Sequence, residues 1–137
     1  MKFKDRIRKI FDEIKEIDCS AFPGEKVSFN AKGINHLIYK SDRSMRSVER
    51  IRTNIRLLPR AIKLLKLMPI FQEEASYKIG KTIFHFWAFE GVVDNRRIKV
   101  IVRQKGNGKK YFWSVIPCWR KDRFGDVKNS KSDLRKN

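Results

Sequence analysis

Apolar residues recur at helical spacing through the opening stretch, at Phe3, Ile7, Ile10, Phe11, Ile14 and Ile17, with Lys4, Arg8, Lys9, Lys15 and Glu16 between them. The spacing predicts an amphipathic helix over residues 1–19. Asp12, Glu13 and Glu16 share its polar side, which favours packing on a domain core over lying on an anionic membrane surface. A break at Phe22-Pro23-Gly24 follows, then a short strand candidate over Val27-Ser28-Phe29-Asn30. Ala31 to Tyr39 is a short helix with Ile34, Leu37 and Ile38 on one side and Asn30 as its N-cap. From Ser44 a longer helical pattern places Val48, Ile51, Ile55 and Leu58 on one stripe. Arginines and Lys63 occupy the other stripes, and Pro59 is expected to kink or break the helix before a second piece that ends near Leu67.

Beyond Pro69 the period shortens, and Thr82–Val93, Arg97–Gln104 and Tyr111–Pro117 read as three successive antiparallel strands. Asn107-Gly108 is a two-residue hairpin signal, which sets Arg103 opposite Phe112, Val102 opposite Trp113, Ile101 opposite Ser114 and Val100 opposite Val115. Asp94-Asn95 as the preceding turn sets Trp87 beside Val102, Phe89 beside Val100 and Phe86 beside Arg103. Alternation then separates a core face (Ile98, Val100, Val102, Trp113, Val115) from a second face. The second face carries Phe86, Arg103 and Phe112 in one row, Ala88, Ile101 and Ser114 in the next, and Glu90 with Lys99 beyond. The segregation of helical and strand patterns predicts an α+β fold, with N-terminal helices packed on one face of a roughly four-stranded antiparallel sheet. Residues 1–119 form one domain, and 120–137 form a basic, mobile tail.

Charge changes the picture. Lys and Arg number 33 against 15 acids, a formal +18 on a chain with 41% hydrophobic residues. Such a chain folds, yet it carries a self-repulsion that a polyanion relieves. Nucleic acid is the first candidate partner, with an anionic membrane surface and an acidic protein as alternatives that charge alone leaves open. Aromatics among cations on a sheet suit unpaired RNA, with Phe86 and Phe112 for stacking and Lys32, Lys99, Lys105 and Lys110 for phosphate. Cys19 and Cys118 make no metal-binding spacing and read as reduced thiols. With neither an 18-residue apolar run nor a signal-peptide pattern, a cytoplasmic location is the expectation.

RNA cleavage without a metal needs a proton acceptor, a proton donor and cations for the phosphorane. His36 and His85 are the histidines to weigh. His85 falls on the apolar side beside Gln104, the setting of a structural histidine, whereas His36 follows Lys32-Gly33 on a short helix. Arg103 and Ser114 share the second face and have the chemistry to neutralise and hydrogen-bond a phosphate. No protease, nucleotide-hydrolase or serine-hydrolase motif is present.

The run Val27-Ser28-Phe29-Asn30-Ala31-Lys32-Gly33-Ile34-Asn35-His36-Leu37, the Arg-rich helix ending Leu57-Leu58-Pro59-Arg60-Ala61, and Tyr111-Phe112-Trp113-Ser114-Val115 together resemble small toxin ribonucleases. The resemblance is to the barnase/EndoU/colicin/RelE superfamily, especially its phage-associated and toxin branch, and it spans Val27 to Pro117. It implies a sheet face that cleaves tRNA or mRNA without a cofactor, with His36 as acid/base, Arg103 as strand cation, Ser114 as hydroxyl and Arg46 as accessory phosphate ligand. It also implies an acidic antitoxin or immunity protein as partner. The extended N-terminal helix and the lack of a second obvious proton donor depart from that pattern. A non-catalytic RNA-binding or ribosome-associated module, or a basic face that engages an acidic protein, are the competing readings.

Overall fold

A computed structural model describes residues 3–40 and 42–118. The first helix, α1 (Phe3–Ile14), stops before the predicted boundary because Lys15 takes a positive φ of 60° and turns the chain into β1 (Glu16–Asp18). Ile17, predicted on the helix, is instead a buried strand residue. β2 (Lys26–Ser28) follows, then α2 (Ala31–Ile38), capped as expected by Asn30, whose side-chain oxygen accepts from the Lys32 and Gly33 amides. The third helix, α3 (Val48–Leu67), starts at the Ser47 cap and is unbroken through Pro59. Pro59 is exposed, and the helix continues across it, so the expected kink or break does not divide α3.

The sheet is formed by these two short strands with β3 (Glu73–Ile79), β4 (Thr82–Val93), β5 (Arg96–Lys105) and β6 (Lys110–Pro117), in the order β1-β2-β6-β5-β4-β3. The fold is α+β, but the sheet has six strands and is mixed rather than four-stranded and antiparallel. β2 joins β6 in parallel through Val27 and Ser28, while every other pairing is antiparallel. The β4–β5 register is as the Asp94-Asn95 turn predicts, with Trp87 opposite Val102, Phe89 opposite Val100 and Phe86 opposite Arg103. Both turn residues take positive φ, 49° and 64°.

The β5–β6 register agrees only in part. Ile101 faces Ser114 and Val100 faces Val115, but a bulge between Ile101 and Val102 then shifts the ladder, so that Val102 faces Phe112 and Arg103 faces Tyr111. Asn107-Gly108 does not make a two-residue turn. Gly106 takes the positive φ, Gly108 donates to Lys105 O, and a longer loop joins the strands. Phe112, predicted on the second face, therefore enters the core, and Trp113, predicted in the core, takes the second face.

One cluster joins the buried sides of all three helices to Phe89, Val100, Val102, Phe112 and Val115 on the core face of the sheet. Phe112 is stacked on Phe29 (5.3 Å between ring centroids) and meets Phe11 edge-on (5.9 Å). Burying such a ring contributes about 1.5–3 kcal/mol. A second, smaller cluster (Phe86, Ala88, Ile101) lies on the opposite face, with Tyr77, Phe84, Trp113 and Ile116 packed around it. Among the described residues no helix is long and apolar enough to cross a membrane. The predicted tail at 120–137 lies outside the described residues.

Gly33 lets α2 touch β6: a Cβ there would stand 2.5 Å from the backbone oxygen of Phe112 and 3.2 Å from the Phe11 ring. A strand carbonyl cannot rotate away as a side chain can. Gly33→Ala is expected to lower stability by about 1–3 kcal/mol, the range for overpacking, measured as a lower urea midpoint with unchanged slope.

Candidate nucleic-acid cleft

A cleft of about 850 Å³ opens on the second face of the sheet, where α2, the loop after it, the β3–β4 hairpin, β5 and β6 converge. The helix contributes Lys32, Asn35, His36 and Tyr39, spaced three and four apart and therefore on one side of α2, while Ile34, Leu37 and Ile38 are buried on the other. Lys40 and Arg43 follow. The strands contribute alternate positions, Phe84 and Phe86 from β4, Arg103 and Lys105 from β5, and Trp113 from β6, with Ile79 at the end of β3. Among the described residues the lining holds five cations and no carboxylate.

Trp113 brings the pieces together. The His36 ring stacks on it at 3.8 Å and 15°, and the Arg103 guanidinium carbon lies 3.9 Å from its ring centre. Arg103 also lies over Phe84 at 4.3 Å, and its Nε donates to the Tyr111 hydroxyl. The guanidinium is thus flanked by aromatic rings, and its Nε is held by a phenol. Burial pushes the Arg103 pKa down and the Tyr111 pKa up, each opposed by the other partner. No carboxylate among the described residues forms an ion pair with Arg103. A half-buried guanidinium in this setting keeps its outer N–H donors for an anion.

His36 is fixed through the end of its helix. The last four carbonyls of α2 are all satisfied: Asn35 O by the Tyr39 amide, His36 O by Arg46 Nε (2.9 Å), Leu37 O by Asn54 Nδ2 (2.9 Å) and Ile38 O by the Arg46 amide. Asn54 is itself held by Arg50, which reaches on to Val115 O in β6. Arg46 Nη2 also lies 3.5 Å from His36 Nε2. The residue singled out as an accessory phosphate ligand therefore braces His36, and burial lowers its pKa.

The sequence-predicted residues divide. Lys32, His36, Phe86, Arg103 and Lys105 line the cleft. Ser114 is buried beside Ile101 on the same face and is not part of the lining. Phe112 is a core residue, because the bulge reverses its side. Lys99 is on the expected face but only 2% exposed, with Nζ 2.6 Å from Glu73 Oε2. Lys110 points to the core side, bonded to both Glu25 oxygens (2.8 and 2.9 Å) and lying over the Phe22 and Trp87 rings. These two lysines are internal ion-pair partners, not surface cations. His85, read as structural, shares a hydrogen bond of 2.7 Å with Ser76. Both cysteines are buried free thiols, and burial followed by the neighbouring Glu90 pushes Cys118 up to about 11.

Sequence reasoning missed Asn35, Tyr39, Lys40, Arg43, Ile79, Phe84 and Trp113. The helical spacing from Lys32 and the strand spacing from Phe86 point to Asn35, Tyr39 and Phe84; nothing local pointed to Trp113. No family model matches the sequence, and no curated protein and no solved structure is significantly similar to it.

The two kinds of lysine are separable by stability. Lys99→Met is expected to destabilise the fold by about 1–3 kcal/mol, since it leaves Glu73 without its partner, whereas Lys105→Met at the exposed cleft rim should stay within about 0.5 kcal/mol. Urea unfolding of both variants checks this, and equal midpoints would mean that the Lys99–Glu73 pair contributes nothing net.

Proposed function

We propose that this protein is a metal-independent endoribonuclease that takes unpaired RNA into the cleft. The observation that carries the reading is the contact of His36 and Arg103 with one indole, Trp113, in a cleft whose described residues include five cations and no carboxylate. An aromatic and cationic cleft suits a ligand with both flat bases and phosphates. In the proposed reaction His36 accepts the 2′-hydroxyl proton, the 2′-oxygen forms a bond to the adjacent phosphorus, and Arg103 compensates the charge that develops there. The bond to the 5′-oxygen breaks, and that oxygen takes a proton from a second group, for which Lys32, Tyr39 and Lys40 on the cleft wall are the candidates. A toxin role and an acidic antitoxin belong to the same proposal and are supported by the resemblance and the net charge.

One observation favours a second reading, a non-catalytic RNA-binding module. His36 is only 8% exposed, and a guanidinium can only donate, so the Nε2 lone pair that a general base needs is directed at Arg46.

Cleavage of total RNA is expected to persist in EDTA and to leave 2′,3′-cyclic or 3′-phosphate ends; 5′-phosphate ends would overturn the mechanism. His36→Ala is expected to lower single-turnover cleavage by about 10²–10⁴-fold, far more than it lowers binding or thermal stability, and Arg103→Ala should act in the same direction. Cleavage by His36→Ala at the wild-type rate supports the binding module instead. Affinity should fall by roughly 10³–10⁵ between about 50 and 200 mM salt if six to ten phosphates are engaged.

A further inference from the structure

The outer face of α3 carries a second concentration of charge, and the sheet stands between it and the cleft. The buried side of α3 packs across β4, β5 and β6 within the core cluster, while Phe86 and Trp113 of the cleft belong to the apolar cluster on the opposite face. The side turned away from the sheet presents Arg52, Arg56, Arg60, Lys63 and Lys66. They follow one another at intervals of three or four residues and span about 21 Å at the helical rise of 1.5 Å per residue.

Two features separate this stripe from an ordinary solvated helix face. The only acid in α3 is Glu49, in its first turn and three residues before Arg52, so from Arg52 onward the stripe contains like-charge neighbours at i,i+4 (Arg52 with Arg56, Arg56 with Arg60) with no acid among them. Like-charge neighbours at this spacing destabilise the helix. Among the described residues only Lys63 of the five is ion-paired, with Asp94 at 3.2 Å. The contrast is α1, where Arg8 and Lys9 sit among Asp5, Asp12 and Glu13. Solubility is served equally well by the mixed surface of α1. Repulsion retained along one straight helix is relieved by a polyanion laid against it.

The chemistry also differs from that of the cleft. The cleft offers the partly exposed rings of Tyr39, Phe84 and Trp113, whereas the stripe has no aromatic residue and can address only phosphate. We propose that the outer face of α3 is a second RNA surface, which holds the phosphate backbone of a double-helical segment while the cleft takes an unpaired one. The proposal rests on the reading of the cleft as an RNA site, and it assigns the protein a substrate with both paired and unpaired parts. Duplex RNA is recognised through its backbone and shape, which cations on a rigid rod can follow, whereas unpaired bases need stacking partners. The two surfaces face opposite ways, so they engage two segments of a folded RNA.

The test is a triple variant, Arg52→Gln, Arg56→Gln and Lys66→Gln, which spares the Lys63–Asp94 pair and Arg60, whose Nη1 is bonded to Arg56 O. Fluorescence anisotropy is read with three probes, a blunt RNA duplex, an unstructured oligouridine and polyglutamate, over a range of salt. Thermal unfolding should be unchanged or higher, because like-charge repulsion is removed; Arg56→Gln alone serves if the triple variant does not fold. The triple variant is expected to bind the duplex about tenfold or more weakly, with the salt slope smaller by about one per lost phosphate contact, and to bind oligouridine as the wild type does. Trp113→Ala should show the reverse pattern. Equal duplex affinity and slope in wild type and triple variant would overturn the proposal, as would wild-type binding of polyglutamate as tight as that of the duplex and lost in the triple variant, which assigns the stripe to an acidic protein. Failure of every protein to bind oligouridine, with duplex binding kept and stripe-dependent, would instead overturn the reading of the cleft.

Discussion

Between Ser114, which pairs with Ile101, and Phe112, which pairs with Val102, β6 carries one residue more than its partner strand, and that residue is Trp113. A bulge turns the side chains of two successive residues to one side of the sheet, so Trp113 and Ser114 share the second face and Phe112 is delivered to the core. Both halves of the molecule depend on this. On the core side Phe112 closes an aromatic triangle with Phe11 and Phe29, and Gly33 leaves room for α2 to rest on its carbonyl. On the other side Trp113 meets the histidine that α2 has thereby brought to the sheet edge. Without the extra residue the indole lies in the core, and His36 and Arg103 have no common surface.

The treatment of buried cations sets the character of the site. Lys99 and Lys110 each reach a glutamate, the usual requirement for burying charge. Arg103 is given aromatic faces and a phenol instead. Those contacts orient the guanidinium without neutralising it, so its charge is available to a ligand in a partly desolvated place, where an anion interacts more strongly than in water. The same economy of pairing holds at α2, where Arg46, Asn54 and Arg50 satisfy carbonyls on α2 and β6 and so tie the position of His36 to both α3 and β6.

Much of this was legible in the sequence because it is local. Helical periodicity located all three helices, Asn30 announced the start of α2, and Asp94-Asn95 dictated the β4–β5 register residue by residue, since a two-residue turn leaves one alignment. That register put Phe86 and Arg103 side by side, and the net charge made a polyanionic partner the leading expectation. The position of Lys32 and His36 on one side of a short helix followed from the burial of Ile34, Leu37 and Ile38 on the other.

What only the tertiary structure decided rests on contacts between segments far apart in the chain. Tyr111, Phe112 and Trp113 are all aromatic, so alternation carries no mark of which ring faces the core, and a one-residue bulge leaves no composition signal. The three-residue strands β1 and β2 are too short to show a period, and β3, rich in charged and polar residues, gains its identity from pairing with β4. Lys110 looks like one more surface cation until Glu25, 85 residues away, is folded against it. Side-chain periodicity is a property of neighbours along the backbone, whereas the face of a bulged strand, the partner of a buried lysine and the contact of both His36 and Arg103 with Trp113 are set by packing that no single segment contains.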